Sequence, residues 1–385
     1  MRIPLSAPDI IESDIETVTA VLRTKRLSLG PMLERFEQSL GDYIGAPHAI
    51  AVSSGTCALH LCLRALGIKE GDEVIVPSFT FIAVANVVRY QNAIPVFVDI
   101  EPESLNIAPD SIEQAITPKT RAIIAVHTFG CPADMKEILE IGRRHNLFVI
   151  EDACEALGAE YRGKKCGIFG DAGVFGFYPN KQITTGEGGA IVTHDADLAR
   201  LMRGLRNQGR VNGDGNNEYG ELGYNYRISE MNCALGNAQL KRIESILLRR
   251  AEIARMYVEK LSGCRHIILP QLEASHGSIS WFAFVVRLGA SLDLAAREWM
   301  IQQMAARGIE CGRYFVPIHP HPVYRREPCR VSALPVTEWA AARVLALPFF
   351  NKIKECEIQE VCETLFDLVA ERLCHVRDDA ALSRE

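Results

Sequence analysis

Short runs of Val, Ile, Ala and Phe recur through the first half of the chain, separated by longer stretches with helical spacing. The runs His48–Ser53, Glu73–Pro77, Pro95–Asp99, Ala122–His127, Leu147–Asp152, Ala172–Phe177 and Gly189–His194 predict seven strands. Helical spacing predicts helices near 55–67, 80–91, 109–116 and 133–145. Strands that are apolar throughout, rather than alternating, are buried on both faces, and helices between them make the crossovers of a mostly parallel sheet. The expected class is α/β.

Outside this region the pattern changes. The first 45 residues read as helical, with Ile10, Ile11, Ile15, Val18 and Val21 marking an apolar stripe. After a loop rich in Gly and Asn at 207–224, the spacing predicts one long helix over Glu230–Leu261. A strand at Ser280–Leu288 and helices near 293–307 and 355–373 follow, and the polar stretch Val376–Glu385 reads as a frayed end. The layout expected is an N-terminal helical segment with a large ligand-binding domain over 1–230, and a smaller α/β domain over 231–385.

Composition narrows the possibilities. Of the 385 residues 48% are hydrophobic and 23% charged, the balance of a globular protein with a full core. A net charge of −6, with no long basic cluster, argues against nucleic acid or an anionic membrane as a general partner. No apolar run approaches the roughly 20 residues that span a bilayer, and Met1-Arg2-Ile3-Pro4 does not begin a signal peptide. Twelve cysteines are scattered, with no Cys-x-x-Cys pair. Reduced thiols in a cytoplasmic protein are expected, and a metal site is not.

In a sheet of this kind ligands sit beyond the carboxyl ends of the strands, and three strand ends carry chemistry. Ser53-Ser54-Gly55-Thr56 closes a strand and opens a helix. Small residues and free N–H groups there suit a phosphate, although simple helix capping needs the same residues. Glu151-Asp152 ends another strand, where a carboxylate either caps a turn or partners a protonated heterocyclic nitrogen. In Phe177-Tyr178-Pro179-Asn180-Lys181-Gln182-Ile183-Thr184-Thr185-Gly186-Glu187-Gly188-Gly189 a lysine stands in a tight link between two apolar strands. Desolvation there would free its amine to attack a carbonyl. A phosphate cradle, a strand-end Asp and a buried lysine together make the site that pyridoxal phosphate (PLP) needs. A Gly-x-Gly-x-x-Gly after the first strand, the mark of a nicotinamide dehydrogenase, is absent.

Over essentially its whole length the chain resembles the DegT–StrS sugar-nucleotide aminotransferases, which are fold-type I PLP enzymes. The resemblance is carried by Ser53–Leu59, Pro77–Phe81, Glu151–Ala153, Lys181 with Thr184–Gly189, Gly223–Glu230, and Tyr314-Phe315 ahead of Pro317-Ile318-His319. It implies that Lys181 joins the cofactor through its ε-amine and then carries the proton between substrate carbon and cofactor. It also implies that Asp152 meets the pyridinium nitrogen, that Gly55 and Thr56 bind the phosphate, and that Phe81 stacks on the ring. Asn225 would come from the second subunit of a homodimer with a shared active site. Tyr178, Tyr314 and His319 would face the sugar nucleotide.

The chain departs from the family pattern at three positions. Gly176 replaces a serine that reaches the phosphate, Tyr178 replaces a histidine, and Glu155 replaces a glutamine or histidine, placing an acid on the cofactor's O3′ side or toward substrate. The implied reaction moves an amino group from an amino acid, L-glutamate by analogy, to a nucleotide-linked keto-deoxy sugar. The Thr184–Gly189 loop looks more like that of C4-aminating relatives. A C3-keto sugar, a cyclitol, or a PLP-binding regulatory protein without turnover are the alternatives.

Overall fold

The computed structural model describes residues 2–210 and 218–382. In chain order, α1 (Glu12–Leu22) and α2 (Pro31–Ile44) lead into β1 (His48–Val52), α3 (Gly55–Ala65), β2 (Glu73–Pro77), α4 (Ala83–Tyr90) and β3 (Ile94–Val98). There follow α5 (Pro109–Ala115), β4 (Thr120–Val126), α6 (Met135–His145), β5 (Phe148–Asp152), and the short strands β6 (Glu160–Tyr161) and β7 (Lys164–Lys165). Next come β8 (Ala172–Gly176), β9 (Gly189–Thr193), α7 (Ala196–Arg206), α8 (Glu230–Leu240) and α9 (Ile243–Leu261). The remainder is β10 (Ile267–Ile268), β11 (Gly277–Ser278), β12 (Phe284–Leu288), α10 (Leu294–Ala306), β13 (Arg330–Val331), α11 (Pro335–Ala341), β14 (Val344–Leu347) and α12 (Glu355–Leu382).

The large sheet has the order β1-β9-β8-β5-β4-β2-β3-β13. It is parallel except for β9, which runs antiparallel to both β1 and β8. All seven predicted strands lie in this α/β sheet, and it has an eighth. β13, two residues from the second half of the chain, adds in parallel to β3. Nearby, Ile318, Tyr324 and Leu334 pack into the core on the α3–α4 side of the sheet. So brief a strand leaves no periodicity to read. What holds it is Arg330, whose Nη2 reaches Glu73 Oε2 at 3.1 Å. Glu73 also accepts from Thr117 Oγ1 at 2.6 Å.

The second sheet, β10-β12-β14, is antiparallel and buries Phe284, Val286, Leu345 and Leu347 against α9, α10 and α12. Two expectations need correction. The long helix over Glu230–Leu261 is two helices, broken at Lys241-Arg242. The N-terminal stripe faces inward only in part: Val21 is buried, but Ile11 and Ile15 are exposed, and the buried residue between them is Asp14. That helix docks through polar contacts, Asp14 Oδ2 accepting from Gln239 Nε2 at 2.8 Å and Arg242 Nη2 at 2.9 Å. The loop expected at 207–224 is described only at its ends, since 211–217 lie outside the described residues, as do 383–385.

Glu230, at the end of the Gly223–Glu230 motif, caps α2. Its carboxylate accepts from the N–H groups of Gly30 (3.0 Å), Met32 (2.8 Å) and Leu33 (3.0 Å), satisfying donors that a helix start leaves free.

Candidate active site

Parallel order brings the ends of β1, β8 and β5 to one edge of the sheet. At the end of β1, Ser54 caps α3, its hydroxyl accepting from Cys57 N at 3.1 Å. The next two N–H groups, of Gly55 and Thr56, have no acceptor among the described residues. They leave a donor pair at the positive end of an eleven-residue helix, where an anion is favoured. At the end of β5, Asp152 is 8% exposed, and its Oδ1 accepts from Cys154 N at 3.0 Å. Its neighbour Glu151 is spent on structure. It accepts from His127 Nε2 and from the N–H groups of Gly167, Phe169 and Gly170, at 2.6 to 3.0 Å.

The link between β8 and β9 is pinned at its neck by Phe177 N donating to Gly188 O at 2.9 Å and Thr185 N donating to Phe177 O at 3.0 Å. Inside it, the Lys181 side chain is 15% exposed. Its Nζ lies 3.6 Å from Glu155 Oε1 and 4.0 Å from the centre of the Phe282 ring. Glu155 is fixed from the other side, where its Oε2 accepts from Phe129 N at 2.9 Å. Burial raises the Glu155 carboxyl above its ordinary range, and the nearby Lys181 and the Phe129 N–H work against that rise. Cys154 ties the corner together. A Cβ built on Gly55 would meet its Sγ at 2.8 Å, and one on Gly176 would meet it at 3.2 Å. The space a serine hydroxyl would take at 176 therefore lies against this thiol, which burial pushes well up.

Lys181, Asp152, Glu155, Gly55 and Thr56 are thus neighbours. Tyr314 joins them at one remove, its ring stacked on Phe282 with centroids 5.9 Å apart. The remaining sequence candidates are placed differently, Tyr178 staying close to the lysine through its carbonyl, which accepts from Lys181 N at 2.9 Å. Phe81 and Tyr178 are 60% and 53% exposed, and Asn225 is exposed beside Asn207. His319 is bound to Ser78, Nδ1 to Oγ at 2.8 Å, and burial lowers its pKa. Sequence reasoning missed Phe282, whose ring faces the lysine, and Phe129, whose N–H holds Glu155. It also missed Gln182, whose Nε2 donates to Glu155 O at 2.5 Å and Ser280 Oγ at 2.9 Å. Only Gln182, being next to the lysine, left a signal; the others come from distant parts of the chain.

Two unpaired helix N–H groups, a buried carboxylate and a shielded amine fit the phosphate, ring nitrogen and aldehyde of PLP. A fold and site of this kind define a PLP-dependent aminotransferase. The chain belongs to the DegT/DnrJ/EryC1/StrS aminotransferase family, whose sequence model matches residues 8–366. It is 42% identical over 367 residues to the GDP-perosamine synthase of Caulobacter vibrioides, covering 94% of this chain and 97% of that protein. It is 35% identical to the GDP-perosamine synthase of Escherichia coli O157:H7, covering 96% and 99%. Among solved structures, the chain is similar to DesV of S. venezuelae in complex with a ketimine intermediate, with TM-score 0.87 and 36% sequence identity.

 That match covers 94% of this chain and 97% of the DesV chain.

Proposed function

We propose that this enzyme moves an amino group from an amino acid, L-glutamate in the first instance, to C4 of a nucleotide-linked keto-deoxy sugar. The observation that carries the chemistry is the shielded Lys181 amine beside the Gly55–Thr56 donor pair and the Asp152 carboxylate. The substrate class is supported by the perosamine synthases, similar over nearly their whole length. C4 is supported by the form of the Thr184–Gly189 loop. Within it, Thr184 Oγ1 accepts from Gly186 N at 2.9 Å, and Asn232 Nδ2 donates to the carbonyls of Thr185 (2.6 Å) and Glu187 (2.8 Å).

When bound, PLP supplies an aldehyde that accepts the amino group and a ring that takes up the electrons released at the substrate carbon. The protein does the rest. Gly55 and Thr56 hold the phosphate through their N–H groups, and Asp152 keeps the proton on the ring nitrogen. Lys181 would hold the aldehyde carbon through its ε-amine, and the same nitrogen would serve to carry a proton. Phe282 keeps water from that amine, Phe129 N–H holds Glu155 in place, and Glu155 and Tyr314 line the approach. Phe81 and Tyr178 are too exposed to enclose a ligand within one chain, which supports a homodimer in which the partner covers them and supplies Asn225. All twelve cysteines are free thiols, in keeping with a cytoplasmic setting. Among the described residues no helix is long and apolar enough to cross a membrane.

The test offers the enzyme PLP, glutamate and a panel of nucleotide-linked 3-keto and 4-keto sugars, with mass spectrometry to find which exchanges oxygen for nitrogen. A 4-keto sugar is expected to react. Reaction of a cyclitol ketone alone would overturn the substrate class. Replacing Lys181→Ala should lower the rate by at least about a thousand-fold, a loss on the scale of removing a group that makes a covalent bond and moves a proton.

A further inference from the structure

Arg250, on α9, is 3% exposed. Among the described residues no carboxylate pairs with it. Asp9, the one acid that acts on it from a distance, is bound to Arg242. A guanidinium buried without a counter-ion is costly unless its donors are met, and here they are met chiefly by one corner of the chain. Nε donates to Trp281 O at 2.6 Å, Nη2 to Phe282 O at 2.8 Å and Nη1 to Asn351 Oδ1 at 3.0 Å. In an extended strand successive carbonyls point to opposite sides, so a fork that collects two of them needs the chain to turn. It does so at Trp281, whose φ of 45° is unusual for an aromatic residue. The uncompensated charge of Arg250 and the left-handed Trp281 both adjoin Phe282, whose ring centre lies 4.0 Å from Lys181 Nζ.

The far side of that corner is also tied to the site. Phe282 N donates to Phe129 O at 3.1 Å, and Ser280 N donates to Gly130 O at 3.1 Å. Phe129 N in turn holds Glu155, the carboxylate that faces the lysine. The Phe282 ring is thus fixed between a fork from α9 and the loop after β4, with Tyr314 stacked upon it. An aromatic face held on an amine excludes water from it, provided the ring cannot swing away.

We propose that Arg250 is a positioning residue for Lys181, acting through Phe282. The fork of Arg250 sets the Trp281–Phe282 backbone, the backbone sets the ring, and the ring shields the amine that anchors the cofactor and moves the proton. This inference rests on the role given above to Lys181, but not on the identity of the sugar.

The experiment uses the full chain loaded with PLP and follows the loss of its lysine-linked absorption band after addition of hydroxylamine, which captures the aldehyde carbon and frees the lysine. Arg250→Met and Phe282→Leu are each expected to speed that loss roughly five-fold. The double variant should be no faster than Phe282→Leu, because the two changes lie on one line of action. Loss at the parent rate in Arg250→Met, or a double variant whose acceleration is the product of the two single ones, would overturn the proposal. Should Arg250→Met not fold, Arg250→Lys replaces it, since its ammonium cannot reproduce the fork to both carbonyls. An intermediate acceleration supports the proposal, and the parent rate refutes it. The measurement needs no turnover, so it is separate from the substrate panel. A lysine-linked band that persists in Lys181→Ala would instead count against the lysine assignment itself.

Discussion

Around Cys154 the site has little spare volume, and single atoms decide what it can hold. A methyl group at 55 would stand 2.8 Å from the Cys154 sulfur, and one at 176 would stand 3.2 Å from it. Gly176 and Cys154 therefore read as a matched pair: a serine at 176 would crowd the thiol that now occupies its place. Gly55→Ala forces the thiol or the start of α3 to shift and moves the N–H groups proposed to hold phosphate. Overpacking of this kind costs about 1–2 kcal/mol, so PLP affinity should fall on the order of ten-fold. Cys154→Ala alone should bind close to the parent, and adding it to Gly55→Ala should restore most of the loss. Absorbance titration of PLP into the three variants checks this. A double variant as weak as Gly55→Ala would show that the thiol is not the obstruction. The glycine was legible in the sequence as part of a phosphate-type turn. Its quarrel with Cys154, 99 positions along, was not, because only the fold brings them together.

Among the elements, α3 is joined to its neighbours by one buried histidine. His60 Nδ1 meets Tyr226 OH at 2.9 Å, and its Nε2 meets Gln91 Nε2 at 2.6 Å. Its ring also packs edge-on against Tyr224, at 4.9 Å. The segment that carries Asn225 is in this way fastened to the helix whose start is the proposed phosphate seat. Burial, with Arg64 adding to it, lowers the His60 pKa from 6.5 to about 4. Above pH 6.5 the ring is neutral whether the chain is folded or not, and its contribution is whole. As the pH falls from 6.5 to 4 the unfolded chain takes up a proton that the folded one refuses, so stability declines across that window. His60→Gln should flatten the decline, seen as a smaller shift of the urea midpoint between pH 7 and pH 4 than in the parent; an identical shift would mean other groups cause it. Elements with long apolar runs, such as β2 and β4, were readable because burial on both faces writes itself into every position. The direction of β9 was not, since an apolar run carries no polarity, and β13 was too short for any pattern. The stripe on α1 misled because that helix buries an acid and a hydrogen-bond network in place of its isoleucines.

For the molecule as a whole, the question is whether one chain makes a complete site. In a single chain Phe81 and Tyr178 lie open, and the Asn225 side chain makes no hydrogen bond among the described residues. If the site is shared across a homodimer, Lys181→Ala and Asn225→Ala disable it from opposite chains. A mixed dimer of the two variants then has one site with both lesions and one with neither. Random exchange makes half of the dimers mixed, and one of their two sites is whole, so mixing two inactive proteins should restore about a quarter of the parent activity. If each chain builds its own site, every site in the mixture keeps a lesion and mixing restores nothing. Unfolding and refolding the variants together, with each refolded alone as the reference, separates the two cases. Recovery needs only that the chains exchange and that Asn225 acts in trans. The same preparation of Asn225→Ala with Asn225→Ala must stay inactive, because neither of its sites receives the missing amide.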